Sequence, residues 1–287
     1  MIVVKLTGGL GNQMFQYAAG RALANRHQTQ FLLDIRGFEK QSLREFALDR
    51  LSIHANVASE NDMRQWPDWF RKPAAWLQKI GISTKRYKQP SFEFDPRWNV
   101  LTDNTLLEGY FQSERYFLEI KSILKQELFP KSKLENTNYA IEQAMYVSES
   151  VMIHIRRGDY VSNAKTLKTH GLCSLSYYEK AIEHIKSKIK NPKFFVFSDD
   201  PDWTRTHLGL GDQATYIVGN ADAPEIDLCL MTRCKHFIVA NSSFSWWGAW
   251  LGGDEQSIRI APRPLFDKAT FDEIDLIPNA WITLNKY

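Results

Sequence analysis

Cysteine is scarce: three residues, Cys173, Cys229 and Cys234, in 287. An odd and small number excludes a disulfide scaffold and fits a reducing compartment. Cys229 and Cys234 have no second Cys or His pair at ligand spacing, so a structural zinc site is not expected. Charge of one sign is also lacking. Thirty-six Lys and Arg against 33 Asp and Glu leave a net +3, well short of the basic excess of a dedicated nucleic-acid binder. No apolar run approaches the ~18 residues needed to span a bilayer, so no transmembrane segment is expected. The N-terminus runs from Met-Ile-Val-Val-Lys-Leu directly into Thr-Gly-Gly, without the basic and apolar regions of a cleavable leader. The expectation is a cytoplasmic chain, with any membrane contact peripheral.

What remains is ordinary globular material, 44% hydrophobic and 24% charged, with enough chain for two domains at roughly 150 residues each. Tryptophan is the exception. Nine are present, with Trp66, Trp69, Trp76 and Trp98 in one stretch and Trp246, Trp247 and Trp250 in another. They read either as core filler or as faces on which sugar rings stack.

Residues 2–6 read as a buried strand, Thr7 to Asn12 as a glycine-rich turn, Gln13 to His27 as a helix, and Gln30 to Ile35 as a second strand. This βαβ opening is the arrangement in which a helix N-terminus faces an anion. Prolines interrupt the periodicity between 36 and 149, leaving Thr105–Tyr110 as a strand and Phe117–Leu128 and Asn136–Tyr146 as helices. The Lys/Arg/Trp-rich stretch from Arg64 to Arg97 shows no clean amphipathic period, which favours a solvated, loop-rich face over a membrane-binding one. Beyond 150 the alternation is regular. Strands at 151–155, 194–197, 215–218, 237–240 and 257–261 alternate with helices from Ser176 (capping box with Glu179), Pro201, Pro224 and Phe244. Such alternation predicts parallel, doubly wound sheets, divided into domains 1–149 and 150–287.

Ligands of such sheets bind beyond the carboxyl ends of the strands. In the second half those ends carry His154-Ile155-Arg156-Arg157-Gly158-Asp159, Ser198-Asp199-Asp200 and Asn241-Ser242-Ser243-Phe244-Ser245. Two adjacent arginines at the end of a buried strand suit an anion, and guanidinium is well matched to phosphate. One of them can also be held by Asp159. Ser198-Asp199-Asp200 before Pro201 reads as helix capping or as a nucleotide contact. Asp200 and Asp202 spell Asp-x-Asp, but Pro201 puts Asp202 in a first helical turn, and the arginines already supply neutralising charge, so no metal is expected. Met14 stands where a dinucleotide fingerprint needs its third glycine, after Gly9 and Gly11. A nicotinamide enzyme is therefore disfavoured. The histidines other than His154 have no partners legible in sequence.

Three segments together resemble bacterial α-1,2-fucosyltransferases: Gly8-Gly9-Leu10-Gly11-Asn12-Gln13-Met14-Phe15-Gln16-Tyr17-Ala18, His154 to Tyr160, and Asn241 to Leu251, with Phe197 to Asp200 between them. The resemblance spans nearly the whole chain except about 36–100. It implies a GT-B-like fold of two Rossmann-type α/β domains, the first mainly for acceptor and the second for donor. It further implies inverting transfer of L-fucose from GDP-β-L-fucose to the 2-hydroxyl of a terminal galactose, in a glycan that can be lipid-linked, without a metal. By the same similarity Asn12, His154, Arg156, Asp199 or Asp200, and Ser242 to Phe244 contact the donor. Arg156 would stabilise the leaving group, with Arg157 holding its loop or making a second phosphate contact. His154 and Asp159 are candidates for the general base, beside Asp34 and Glu39. The alternatives are a fucosyltransferase of other linkage, a GT-B enzyme for another sugar nucleotide, and a non-catalytic carbohydrate-binding protein whose site is made by the tryptophan clusters.

Overall fold

The computed structural model describes residues 1–40, 44–64, 66, 85–267 and 273–287. They form two compact units, Met1–Leu128 with Ile274–Leu276, and Phe129–Glu273 with Ile277–Tyr287. The first ends about twenty residues before the boundary expected at 149, and the reason is a helix. Asn136–Tyr146 packs on the helix Pro224–Arg233, tied by an Arg233–Glu142 ion pair at 2.7 Å and by amide bonds between Asn138 and Asn220.

The first unit holds strands β1 (Ile2–Lys5), β2 (Phe31–Asp34), β3 (Asn56–Val57), β4 (Lys85–Lys88) and β5 (Thr105–Glu108), with helices α1 (Leu10–His27), α2 (Glu60–Met63) and α3 (Lys121–Glu127). The strands are parallel, in the order β3-β2-β1-β5-β4. The direction of winding reverses between β1 and β5. The chain leaves β1 toward β3 on one side and returns to place β5 on the other.

The second unit begins with α4 (Asn136–Tyr146). It continues through β6 (Ser150–Ile155), α5 (Gly158–Ser162), α6 (Ala164–His170), α7 (Leu175–Lys188), β7 (Lys193–Ser198), α8 (Pro201–His207), β8 (Ala214–Ile217), α9 (Pro224–Arg233), β9 (His236–Ile238), α10 (Ser243–Leu251), β10 (Arg259–Arg263) and β11 (Ile282–Asn285). This sheet is also parallel, ordered β11-β10-β9-β6-β7-β8, with its switch point between β6 and β9. All six residues of β6 are buried, as a central parallel strand covered on both faces must be. Its core is made by Val151, Ile153 and Ile155 with Tyr177, Ala181, Ile182 and Ile185 from α7.

The alternation is as expected, β3, β4, β11 and the helices α2, α5 and α6 are additional to it, and some expected elements are shifted. α1 starts at Leu10 rather than Gln13, because the N–H groups of Asn12 and Gln13 already bond to Gly9 O at 2.9 and 3.1 Å. Asn12 therefore sits in the first helical turn. α7 is capped by Ser174, whose hydroxyl accepts from Tyr177 N at 3.2 Å, and not by the Ser176–Glu179 box. Where one helix was expected from Phe117, short 3-10 turns precede α3.

Six of the nine tryptophans are buried, and Trp203 is half-buried. Trp246, Trp247, Trp250 and Trp281 are buried in one cluster with ring centroids 5.1 to 5.8 Å apart. Trp66 and Trp98 are buried as well. A sugar-binding site formed by these clusters is excluded for those six, since no ring face reaches solvent; Trp69 and Trp76 lie outside the described residues.

Candidate active site

The β6–β7 register pairs Ile155 with Ser198, so Arg156 and Arg157 leave one strand directly beside Asp199 and Asp200 leaving the next. Each arginine meets one carboxylate. Arg156 Nη1 lies 2.9 Å from Asp199 Oδ2, while Asp199 Oδ1 accepts the backbone N–H of Arg157 at 2.8 Å. Arg157 Nε donates to Asp200 Oδ2 at 3.2 Å, and its guanidinium lies 3.9 Å from the Trp203 ring centroid. Asp200 also caps α8 through Trp203 N, and its own N–H is bonded to the Ser198 hydroxyl. Ser198, Asp199 and Asp200 thus form the frame that orients the arginines. The Asp159 side chain lies outside the described residues, and the holding of Arg157 falls to Asp200 and Trp203.

Arg156 keeps 27% of its side-chain surface and Asp199 24%, so the pair is neither sealed in the core nor free in solvent. A guanidinium held by a carboxylate is oriented, and its planar shape suits recognition of phosphate. Gly158 is required by this packing. A Cβ there would lie 2.8 Å from Asp199 Oδ2.

His154 occupies the penultimate position of β6, 5% exposed, with the Phe244 ring 6.1 Å away. Its Nδ1 is buried and lacks a hydrogen-bond partner among the described residues. Burial, reinforced by the Arg156 charge, holds its imidazole far below the usual range, so it is neutral at physiological pH. Ser242 caps α10 by accepting from Phe244 N at 3.3 Å, and Ser243 and Phe244 open the first turn, partly exposed. These residues gather at the switch point between β6 and β9.

Asn241, the first residue of the third polar strand end and a candidate for the donor site, has its side chain engaged by the protein. Its amide nitrogen bonds to the carbonyls of His170, Gly171 and Leu265 at 2.8 to 3.2 Å, and its oxygen accepts from the Cys173 thiol. It pins the loop after α6. Two tyrosines that the sequence reading passed over fix the strand ends from beneath. Tyr178 OH donates to His154 O at 3.2 Å and Tyr177 OH to Val239 O at 2.6 Å. Their only sequence signal was a hydroxyl on the buried face of an amphipathic helix.

The glycine-rich turn of the first unit is built by buried amides. Gln13 bonds to Gly8 O, Glu45 O and Ala47 N, and Gln16 to Thr7 N and Gly109 O. Gly8, at φ +80, lies so close to Asn12 that a Cβ would sit 2.7 Å from its Nδ2. Asn12 Oδ1 accepts from Gln112 Nε2 at 2.8 Å, at the switch point between β1 and β5. Gly9 precedes α1, and Gly11 is buried within its first turn. Of the first-unit base candidates, Asp34 is held by a two-pronged bond to Arg36 at 2.8 and 2.9 Å, whereas Glu39 is exposed. Asp202 pairs with Arg205 on the solvent side of α8. No group of three His, Cys, Asp or Glu side chains at metal-ligand positions occurs among the described residues, nor is any helix there long and apolar enough to cross a membrane.

Two parallel α/β units, each with polar strand ends at its switch point, are the domain pattern of the GT-B fold. The family model described as glycosyl transferase family 11 matches residues 1–285, and the chain belongs to that family. It is 37% identical to an α-1,2-colitosyltransferase of Escherichia coli, over 100% of this chain and 99% of that protein. It is 31% identical to the O-antigen biosynthesis glycosyltransferase WbnK of the same species, over 97% and 99%. Among solved structures, NodZ α-1,6-fucosyltransferase soaked with GDP-fucose superposes with a TM-score of 0.52 at 17% identity, covering 90% of this chain and 94% of that one. That likeness shows the fold.

Proposed function

We propose that this glycosyltransferase moves L-fucose from GDP-β-L-fucose to the 2-hydroxyl of a terminal galactose, with inversion at the anomeric carbon. The observation that carries the reading is the pair of guanidinium groups held by Asp199 and Asp200 at the carboxyl ends of β6 and β7. Cleavage of the sugar–phosphate bond builds negative charge on the departing GDP, and a donor array already fixed in place stabilises that charge without reorganising. Arg156 contacts the diphosphate; Arg157 braces the loop against Trp203. The N-terminus of α10 at Ser243 adds a place where an anion is favoured, beside the Phe244 N–H that the Ser242 cap engages. His154 suits the part of a neutral hydrogen-bonding partner to donor or acceptor, because an imidazole that resists protonation is a poor store for the acceptor's proton.

The 37% identity to a colitosyltransferase favours a second donor, GDP-colitose, on the same machinery. The decisive assay offers GDP-fucose and GDP-colitose separately with lactose as acceptor, followed by linkage analysis of the product. Transfer of fucose to the galactose 2-hydroxyl is expected. Transfer of colitose alone would move the donor assignment, and a product of other linkage would end the acceptor assignment.

A further inference from the structure

The segment leaving β5, Gly109-Tyr110-Phe111-Gln112, is held in a conformation that its sequence does not favour. Phe111 has φ +53, in the left-handed region where a bulky side chain is an outlier and where persistent strain marks functional segments. Its ring is fully buried, with the Tyr87, Trp98 and Tyr116 rings 6.3, 5.8 and 5.3 Å away. Gln89 holds the turn. Its Oε1 accepts from both Tyr110 N and Phe111 N at 2.9 Å. Gly109 allows that approach, since a Cβ there would lie 2.5 Å from the Gln89 Cβ.

The consequence of this turn is the placement of Tyr110. It is 39% exposed, and its ring stacks on Phe92 with centroids 5.8 Å apart and planes 13° from parallel. Two residues on, the half-buried Gln112 donates from Nε2 to Asn12 Oδ1, which orients its carboxamide. These groups follow the carboxyl ends of β4 and β5, Tyr110 and Gln112 beside the sheet's switch point and Phe92 at its edge strand, on the side where parallel sheets bind ligands. An exposed aromatic face beside an oriented amide matches a neutral sugar ring, with C–H groups on one face and hydroxyls around the rim.

We propose that Phe92, Tyr110 and Gln112 form the platform that receives the terminal galactose of the acceptor, with Asn12 and Gln89 as positioning residues. This rests on the galactoside-transfer reading above. The strain at Phe111 and the Gln89 clamp are then the means by which a loop aromatic is held rigid enough to select a ring.

The test compares Tyr110→Ala, Tyr110→Phe and Gln112→Ala with the wild-type enzyme. The readouts are KM for lactose and for GDP-fucose, and saturation-transfer NMR of methyl β-galactoside without donor. Tyr110→Ala and Gln112→Ala are expected to raise the lactose KM about tenfold or more, equivalent to about 1.4 kcal/mol, and to abolish saturation of the galactoside ring protons. For Tyr110→Ala the KM for GDP-fucose should move by less than about threefold, under ~0.7 kcal/mol on the same scale. Tyr110→Phe keeps the aromatic face and should stay near wild type. If Tyr110→Ala melts early, Phe92→Leu makes the same comparison. An unchanged lactose KM with normal fucose transfer would overturn the platform and leave the transfer reading standing. Saturation of galactoside protons lost on Tyr110→Ala, in an enzyme that transfers no fucose, would support the platform and end the transfer reading.

Discussion

Arg156→Lys keeps the positive charge but removes the planar fork that Asp199 orients at 2.9 Å. If the guanidinium acts on charge developing in the transition state, kcat should fall about 10²-fold or more, with a smaller change in KM for the GDP-sugar. Arg157→Lys should be milder, since Asp200 and the Trp203 ring engage that side chain. Steady-state kinetics of both variants, beside their melting curves, make the check. A well-folded Arg156→Lys enzyme at near wild-type rate would transfer the role to Arg157. A second residue, Asp95, sets an acid limit on stability. Its carboxylate is held down to about 2 by hydrogen bonds from Arg97, with Tyr87 OH assisting against the opposing effect of burial. A depressed carboxylate contributes stability that is full above its unfolded value of about 3.9 and is lost as pH falls through the folded one. The wild-type melting temperature should therefore drop between about pH 4 and pH 2 more steeply than that of Asp95→Asn, which should be less stable at pH 7. Parallel profiles would remove Asp95 from the acid response.

At the scale of elements, packing overrides local preference in α1. Alanine is favoured over glycine inside a helix by about 1 kcal/mol, yet a Cβ at Gly20 would clash with the Phe31 ring, with Cζ only 2.7 Å away, and would lie 3.2 Å from Val4 Cβ. Overpacking of a tight core costs ~1–3 kcal/mol, so Gly20→Ala should destabilise on balance despite the better propensity. Urea unfolding would measure it, and a stabilised variant would mean that α1 and β2 can separate at little cost. The same competition decided the N-terminus of α7. Ser174 took the cap because the helix starts where Tyr177 and Tyr178 can reach the strand-end carbonyls, rather than at the nearest Ser-x-x-Glu spelling.

At the scale of the whole molecule, the positive groups assigned to the diphosphate are side chains of the second unit, and the two carboxylates in Asp-x-Asp spelling there have other partners. Asp200 engages Arg157 and caps α8, and Asp202 pairs with Arg205. Transfer is therefore expected to proceed at an undiminished rate in excess EDTA. Activity lost to the chelator and restored by Mg²⁺ or Mn²⁺ would return Asp200 and Asp202 to the role of ligands.

The sequence alone determined the alternation of strands and helices, the parallel α/β class, and the three strand ends where polar residues collect. Period and punctuation are local properties, legible wherever a buried strand or an amphipathic face repeats, and Val151–Ile155 and Tyr177–Ile185 carried them clearly. The short β3 and β4 strands lacked such a repeat and went unread, as did β11. Partners were decided only by the tertiary structure. Which carboxylate holds Arg157 depends on β7 lying beside β6 in a register that sets Ser198 against Ile155. Asn241 turns inward onto the carbonyls of the loop after α6, which the fold brings to the end of β9, and Gln112 meets Asn12 because β5 pairs with β1 across a hundred residues of chain. The tryptophans were ambiguous for the same reason: a large aromatic reads alike whether it faces a ligand or a core, and only the closing of α10 against its neighbours put them inside.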